Sequence, residues 1–406
     1  MIAQTNSPFI IAGVGCCLLD YIYARIDFCS PSFKAYCSLS DGDGGLVPGK
    51  LSFTEDFETF SGREMGEVLQ QQIAAGQSAD AINIGGPAVV ALIHASQILD
   101  PSLFNIRFSG VVGEDAVGVE LRRQLALTPL SEANLIVKSG RTPRTIVLSD
   151  PGFDQGRGER TFLNTIGVAS ELTYDDLSPD FFKADMLVFG GTALVPKIHD
   201  ALDRLLTQAK LNDAFTVVNT IYDFRHQQQD PNARWPLGSS DKSYGLIDLL
   251  IADFEEALRL SGTKTLDEAL FFFVEQGVGA VVVTNGARDV SLRTNSTKYA
   301  PLTHSRMPAS QAIVAELVAH PERKGDTTGC GDNFAGGVIA NVALQLKSGK
   351  PRIDLAEAIA CGVVSGGLAC FQMGGVFHES HRGQKKELLE PYLDAYCTGL
   401  RHCIGQ

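Results

Sequence analysis

The sequence predicts an α/β fold, in which helices flank a doubly wound, mostly parallel β-sheet and a small β-sheet lid is added. From residue 186 onwards, apolar segments of strand length alternate with segments of helix length, a pattern typical of parallel sheets. Residues 21–60 and 142–165 interrupt this rhythm with turn-rich segments of alternating polarity, which indicate short strands. We therefore expect one domain over residues 1–406, with its lid built from roughly those two stretches.

The composition narrows the class of partner. The chain of 406 residues has 34 basic and 47 acidic side chains and a net charge of −13, which argues against nucleic acid or an anionic membrane as a partner. No uncharged apolar run approaches the roughly 20 residues that cross a bilayer. The nine cysteines are odd in number and lack Cys-x-x-Cys spacing. This usage predicts a reducing, cytoplasmic location.

The first strand is predicted over residues 10–19, an apolar run that ends at Asp20. No basic residue precedes the run, so a buried strand explains it better than a signal peptide does. Ligands of open α/β sheets bind beyond the carboxyl ends of strands, and a carboxylate there can accept hydrogen bonds from two hydroxyl groups. On spacing alone, an Asp at this position is more often a turn residue that ends the strand.

A glycine pair precedes the first long apolar helix. A polar helix is predicted over residues 61–75, and Asn83, Gly85 and Gly86 then precede an apolar helix over residues 87–99. Such a pair lets the backbone approach a ligand closely, but it also marks ordinary turns.

A hairpin is predicted from residues 142–148 and 159–165, which are joined by a glycine-rich turn. Arg160 and Asn164 alternate with apolar residues in its second strand. They either point at a ligand or lie on a solvated face.

The second half of the chain reads as strands 186–189, 215–219, 246–252 and 280–283, with a helix over residues 198–211 and a loop over residues 225–244. Asp253 and Glu256 follow the third of these strands, and Thr284 and Gly286 follow the fourth. Without further information, Glu256 is a solvated residue in the first turn of a helix, where the helix dipole favours it.

The segment that organises the chain is residues 324–337, Lys-Gly-Asp-Thr-Thr-Gly-Cys-Gly-Asp-Asn-Phe-Ala-Gly-Gly. Gly329, Cys330 and Gly331 precede an apolar helix, and successive N–H groups at such a turn form an anion site. Asp332 at its edge can accept a proton from a hydroxyl group that attacks phosphorus. The alternative is a glycine turn with an ordinary helix cap.

This segment resembles the second signature of the ribokinase-like, or PfkB-type, carbohydrate kinases, an Asp-Thr-x-Gly-Ala-Gly-Asp pattern in which Cys330 replaces alanine. Other matches are Gly85-Gly86, residues 111–118, the Val-Thr-x-Gly of residues 283–286, and Glu256 of an Asn-x-x-Glu motif whose Asn is Asp253 here. The resemblance runs from about residue 10 to residue 377. Neither a Walker motif nor a dinucleotide fingerprint follows the first strand.

The resemblance implies a ribokinase-like fold and ATP-dependent phosphorylation of a primary hydroxyl on a carbohydrate, with Mg²⁺ and a monovalent cation such as K⁺. Asp332 is then the general base, and the backbone of residues 329–332 (Gly329, Cys330, Gly331 and Asp332) is the anion hole. The acceptor contacts it implies are Asp20, Gly85 and Gly86, and Arg160 and Asn164 of the lid are further candidates. The family's Asn four residues after the second glycine is Val90 here, so its polar contact to the acceptor is either missing or supplied elsewhere, with Asn83 as the candidate. The residues it implies beside the nucleotide are Thr284, Gly286, Thr328 and Gly374. Glu256 and Asp253 would hold Mg²⁺, largely through water. The monovalent cation would lie near Asp326.

Two other functions stay open on the same fold. One is a nucleoside kinase of the adenosine type, with Phe28, Phe33 and Phe53 as a base pocket beneath the lid. The other is a non-catalytic sugar or nucleotide sensor, because Val90 stands where the family often has Asn and Asp253 replaces another Asn. An exposed face of the lid would also provide a homodimer interface.

Overall fold

Two β-sheets organise the chain in this computed structural model, which describes residues 7–40, 42–156, 158–294, 296–302 and 305–404. The larger sheet has nine strands in the order β14-β13-β12-β11-β10-β9-β1-β5-β6. These strands are β1 Phe9–Gly15, β5 Phe104–Gly113, β6 Leu135–Lys138, β9 Met186–Gly190, β10 Phe215–Asn219, β11 Leu249–Asp253, β12 Ala280–Thr284, β13 Val290–Thr294 and β14 Arg306–Met307.

The large sheet is parallel from β6 to β12, and only β13 is reversed, pairing antiparallel with both β12 and β14. The chain begins in the middle at β1, adds β5 and β6 on one side, and later adds β9 to β12 on the other. Successive side chains of these strands therefore enter two different apolar clusters: Ile11 and Val188 pack on one face, and Ala12 and Leu187 on the other. This is the expected doubly wound arrangement.

Helices cover both faces of this sheet, and short helices pack against the smaller sheet described below. In the described part of the chain they are α1 Pro31–Lys34, α2 Thr54–Ser61, α3 Met65–Val68, α4 Pro87–Ile98, α5 Ala116–Leu125, α6 Phe153–Gly156, α7 Pro196–Asp200, α8 Leu202–Leu211, α9 Phe224–Gln229, α10 Phe254–Ser261, α11 Leu266–Glu275, α12 Gln311–Ala319, α13 Cys330–Lys347, α14 Leu355–Leu368 and α15 Gln384–Ile404. Among the helices of these described residues, none combines the length and the apolar character needed to cross a membrane.

The smaller sheet has five strands in the order β3-β8-β7-β2-β4. They are β2 Leu18–Tyr23, β3 Leu51–Phe53, β4 Ala81–Gly85, β7 Arg144–Asp150 and β8 Glu159–Thr165. Both turn-rich stretches of the sequence therefore contribute to one sheet, apart from Asp41 and Arg157, which lie outside the described residues. Strand β4, which belongs to neither stretch, forms one edge of this sheet and pairs antiparallel with β2.

One face of the small sheet is covered by the chain itself. Ile146, Leu148 and Leu163 point away from the large sheet and join a buried cluster with Phe28, Phe33, Phe57 and Met65. The rings of Phe28 and Phe33 are stacked with centroids 4.3 Å apart. The apolar surface expected on the lid is thus packed internally by residues between β2 and β4.

Some predicted element bounds were wrong. The strand predicted over residues 10–19 is broken at Cys16 and Cys17, both buried, and its two halves lie in different sheets. The helix predicted over residues 61–75 is instead α2 and α3 followed by a π-helical turn, because Gly62 in a left-handed conformation ends α2. The predicted helix over residues 198–211 is interrupted at Ala201. Part of the predicted loop over residues 225–244 is helix α9.

Candidate active site

A cavity of about 290 Å³ lies between the small sheet and the carboxyl ends of the large sheet's strands, at the low end of the size range of ligand pockets. Ligands of doubly wound sheets bind at this edge. The small sheet contributes Asp20, Leu51, Thr145, Val147, Phe162 and Asn164, the large sheet contributes Asn219, Ile251, Ala252, Asp253 and Thr284, and the segment that leads into α13 contributes Thr328, Gly331 and Asp332.

The start of α13 is built as an anion site. Gly329 has a φ of 76°, and a Cβ at this position would lie 2.4 Å from the Cα of Gly375, so only glycine fits. The N–H of Cys330 donates to the carbonyl of Thr327. Among the described hydrogen bonds, none uses the N–H groups of Gly331 and Asp332. Two unpaired donors at the positive end of an 18-residue helix suit a phosphate group.

Asp332 is half-buried because it opens onto the cavity. Enough protein surrounds its carboxylate that desolvation raises its pKa to about 6. The next residue, Asn333, is buried and donates from Nδ2 to the carbonyl groups of Gly329 and Gly375, at 2.9 and 2.7 Å. Asn333 therefore fixes the turn that precedes Asp332, a positioning role that the sequence did not reveal.

Asp20 lies on the opposite wall, inside β2 and not beyond the end of a strand. It is buried, and its pKa is raised to about 7 by desolvation and by the charges of Asp332 and Asp326, while a hydrogen bond with Thr145 lowers it. Thr145 in turn accepts a 3.0 Å hydrogen bond from Asn164 Nδ2. Asp20, Thr145 and Asn164 thus form one polar group on the cavity-facing side of the small sheet.

A buried carboxylate stands beside the end of β11. Asp253 caps α10 and Glu256 accepts from its backbone N–H in return, in a capping box. Glu256 Oε2 also accepts a 2.5 Å hydrogen bond from Thr220 Oγ1. Burial and the charge of Asp253 raise the pKa of Glu256 to about 8. Glu256 is therefore not a solvated helix residue, and the oxygen donors of this group are of the kind that Mg²⁺ prefers.

Thr220 is another site residue that the sequence reading missed. It lies on the cavity next to Asn219, directly after the buried strand β10. Polar residues at the carboxyl end of a buried parallel strand would have been the signal.

Arg160 and Asp326 are joined to each other and lie outside the cavity lining. Arg160 Nη1 donates to the carbonyl of Asp326 at 2.8 Å. The carboxylate of Asp326 accepts from the backbone N–H groups of Thr328 and Gly374 and from Thr328 Oγ1. These contacts make the loop before α13 a junction between β8 and the segment after α14. They do not direct Arg160 at an acceptor in the cavity.

Asn83 is likewise engaged elsewhere. Its Nδ2 donates to the carbonyl groups of Met373 and Val376, and its Oδ1 accepts from the N–H of Val376. A fully bonded amide of this kind ties β4 to the segment that contains Gly374, and the geometry does not favour it as an acceptor ligand.

Gly85 and Gly86 have different surroundings. Gly86, with a φ of 115°, lies on the cavity, and a Cβ there would approach the Cys16 carbonyl oxygen to 2.2 Å. Gly85 packs against the carboxylate of Asp20. At the end of β12, its last residue Thr284 lines the cavity, whereas Gly286 beyond it forms an open turn with a φ of 55°.

A second cavity of about 420 Å³ adjoins the first, and Leu194 and Phe224 line both. Its wall is mostly apolar and includes Phe53, whose ring meets that of Phe224 edge-on with centroids 5.9 Å apart. Of the three phenylalanines expected in a base pocket, only Phe53 borders this space. Phe28 and Phe33 are buried on the other face of the small sheet.

Comparisons with known proteins identify the family of this chain. A family model described as pfkB family carbohydrate kinase matches residues 77–381, about three quarters of the chain. The 2-dehydro-3-deoxygluconokinase of Bacillus subtilis (strain 168) is 24% identical over 248 residues, which are 59% of this chain and 69% of that protein.

Solved structures share the fold. An adenosine kinase from Anopheles gambiae in complex with P1,P4-di(adenosine-5) tetraphosphate has a TM-score of 0.65 and 20% identity, with 90% of this chain and 96% of that chain covered. A protein assigned as ribokinase II from E. coli, in complex with ATP and Mg²⁺, has a TM-score of 0.60 and 16% identity, with 94% and 99% covered. At these identities the likeness shows the ribokinase-like fold.

Proposed function

The chain belongs to the pfkB family of carbohydrate kinases, which are phosphotransferases acting on hydroxyl groups, and we propose that it phosphorylates a primary hydroxyl of a small carbohydrate with ATP. The observation that carries this proposal is the shared cavity. Asp332, the unpaired N–H groups of Gly331 and Asp332, and the buried Asp20 all belong to it. A base, an anion site and a hydroxyl-binding carboxylate are the parts that phosphoryl transfer to an alcohol requires.

In the proposed mechanism, Asp20 orients the acceptor by accepting hydrogen bonds from its hydroxyl groups, with Thr145 and Asn164 beside it. Asp332 accepts the proton of the attacking hydroxyl. ATP supplies the γ-phosphoryl group, and its developing charge would be stabilised by the backbone of residues 329–332, with roughly 3 kcal/mol available from each well-placed donor. Thr284, Thr328, Gly286 and Gly374 are proposed to border the nucleotide.

Magnesium would be held near Asp253 and Glu256, largely through water. Mg²⁺ takes oxygen ligands and keeps much of its hydration shell, and Asp253 and Glu256 both border the cavity. A monovalent cation such as K⁺ is proposed near Asp326, but the carboxylate of Asp326 already accepts three hydrogen bonds. We therefore expect any cation there to use backbone carbonyl groups.

The small sheet is proposed to act as a lid that excludes water from the reaction and to belong to one domain with the large sheet. Its outer face is occupied by the chain's own apolar cluster, which removes the reason to expect a homodimer through that face. We further propose a cytoplasmic location, since the eight described cysteines are free thiols, as is usual in reducing compartments.

A nucleoside acceptor is the second candidate. It is favoured by one observation, the apolar cavity beyond Phe224, where a base could stack while its ribose occupies the cavity of Asp20 and Asp332. The third candidate, a sensor without catalysis, would bind the same ligands and release no ADP.

One experiment separates the three. Purified protein is incubated with ATP and Mg²⁺ and a panel of hexoses, pentoses, 2-keto-3-deoxy sugar acids and nucleosides, and ADP release is measured for wild type and for Asp332→Asn. A sugar that gives ADP release dependent on Asp332 supports the proposal. Release only with nucleosides selects the second candidate. Binding of ATP and acceptor without ADP release selects the sensor.

A further inference from the structure

Cys330 and Cys370 bring two thiols together directly behind the anion site. Cys330 is the first residue of α13, and Cys370 lies in the 3₁₀ turn, Ala369–Phe371, that follows α14. Their Sγ atoms are 3.5 Å apart. Neither residue is fully buried, so a small oxidant can reach both. We propose that these two cysteines form a reversible disulfide that switches the anion site off, an inference that rests on the proposed kinase function.

Packing and a backbone hydrogen bond hold the segments that carry the two thiols next to each other. Helix α13 lies close to α14, since a Cβ at Gly366 would approach the carbonyl oxygen of Cys330 to 2.8 Å. The carbonyl of Cys370 accepts a 2.7 Å hydrogen bond from the N–H of Gly325, at the start of the loop that leads to the anion site. A disulfide needs an S–S distance of about 2.05 Å. Closing the present gap therefore requires the two Sγ atoms to approach each other by about 1.5 Å.

The chemistry assigns the two sulfur atoms different roles. The hydrogen bond from Cys330 and the charge of Lys324 lower the pKa of Cys370, against the effect of burial, to about 7. A thiolate is the nucleophile in thiol oxidation. The Cys370 thiolate attacks a peroxide oxygen, which breaks the O–O bond and gives a sulfenic acid and one molecule of water or alcohol. Cys330 then attacks the Cys370 sulfur, forms the S–S bond and releases water. The two thiols lose two electrons and the peroxide gains them.

The consequence follows from the position of Cys330. The N–H groups of Gly331 and Asp332 come directly after it, and Gly329 before it contacts Gly375. Drawing Cys330 toward Cys370 shifts those donors relative to the cavity, and a misplacement of about 1 Å at a reacting centre can cost about 100-fold in rate. The disulfide form should thus be at least about tenfold less active, and dithiothreitol should restore it.

The test treats the reduced full-length protein with hydrogen peroxide and follows two readouts, ADP release and the masses of tryptic peptides kept non-reduced. Trypsin separates residues 325–347, which contain Cys330, from residues 353–382, which contain Cys361 and Cys370. We expect these peptides to appear as one species, two hydrogen atoms lighter than their sum, with fragment ions that assign the link to Cys370. Activity should fall with the same time course.

Two variants complete the design. Cys370→Ser should keep its basal activity, form no link and resist peroxide. Cys29→Ser, which removes an exposed thiol in the segment between β2 and α1, should stay as sensitive as the wild type. The proposal is overturned if the link is absent at peroxide levels that oxidise Cys29, if it forms without changing ADP release, or if Cys370→Ser remains sensitive. Should no acceptor support ADP release, the proposed function fails by itself, and the link is then judged by its effect on ATP affinity.

Discussion

Arg160 Nη1 donates a 2.8 Å hydrogen bond to the carbonyl of Asp326, and this contact joins the small sheet to the loop in front of the anion site. A second, longer contact of 3.4 Å runs from the same nitrogen to Thr328 Oγ1. Both acceptors belong to the loop whose end carries Gly329. Arg160 therefore connects the proposed lid directly to the loop that leads into the anion site.

Arg160→Gln should weaken this coupling. Loss of a charged hydrogen bond costs about 1.5–3 kcal/mol, so kcat/KM should fall about 10- to 100-fold while the melting temperature changes little. The matched control is Arg25→Gln, which breaks an exposed ion pair with Asp80 next to strands β2 and β4 of the small sheet and should leave steady-state kinetics unchanged. Equal kinetics for both variants would show that Arg160 has no part in closure.

Asp332→Asn tests the general base. Asn is nearly isosteric and keeps hydrogen-bonding capacity, but it cannot accept the proton of the attacking hydroxyl, so kcat should drop about 10²–10⁴-fold. ATP affinity, measured by calorimetry, should hold or rise slightly because a negative charge near the phosphates is removed. Turnover at the wild-type level would exclude Asp332 as the base.

The pH profile should report the same residue. Desolvation places the pKa of Asp332 at about 6, and only its deprotonated form can act as a base. We expect kcat, measured at saturating acceptor, to be constant above this value and to decline about tenfold per pH unit below it. The residual activity of Asp332→Asn should lack this acidic limb, and Asp20→Asn should retain it. A limb that persists without Asp332 would belong to another group.

Asp20→Asn should lower the affinity for the acceptor and raise the stability of the folded protein. The acceptor KM should rise about 10- to 100-fold, since a charged hydrogen bond is lost, with the ATP KM unchanged. The folded protein keeps the Asp20 proton up to a pKa of about 7, compared with 3.8 for the ordinary carboxyl group. Folding is therefore penalised progressively as the pH rises from about 4 to 7.

The variant should remove that penalty. At pH 8 we expect the free energy of unfolding of Asp20→Asn to be about 1–4 kcal/mol larger than that of the wild type. At pH 4 the two free energies of unfolding should be nearly equal. Urea titrations at the two pH values measure this difference. An equal effect at both pH values would mean that Asp20 is not protonated in the folded state below neutral pH.

Glu256→Gln tests the proposed magnesium site. Gln can still accept from Thr220 and from the N–H of Asp253, so the capping box survives, while the carboxyl group that would ionise beside a bound Mg²⁺ is lost. The Mg²⁺ concentration for half-maximal activity should rise at least about tenfold, in line with the loss of a group that orients the metal's ligands. Glu255→Gln, at the exposed neighbouring position, is the control and should leave the Mg²⁺ dependence as in the wild type.

Local spacing made part of the site predictable. The turn before α13 depends on consecutive residues, so Gly329, Gly331 and Asp332 could be assigned from the chain alone, and the alternation of strands and helices after residue 186 indicated the large sheet. Contacts between distant segments could not be read in this way. Nothing in the spacing of Asn83 shows that its amide binds residues nearly 300 positions later.

Asp20 illustrates an error of a different kind. The apolar run before it continues without a polar interruption, so hydrophobicity alone cannot reveal that the chain leaves one sheet at Cys16 and enters another at Leu18. Likewise, Phe28 and Phe33 carry no mark of the face on which they pack. That information arises only when residues 146–163 arrive to cover them.

During synthesis on the ribosome, these phenylalanines stay exposed until the strands that bury them have been made. The small sheet pairs β3 with β8 over more than a hundred residues of sequence, as in the contact of Leu51 with Phe162. Phe28, Phe33 and Phe57 therefore emerge long before Ile146 and Leu163 exist to bury them. At about 5–20 residues per second, that interval lasts on the order of 5–25 s. Nascent chains stalled before residue 144 should consequently bind chaperones, and those extended well beyond residue 165 should release them.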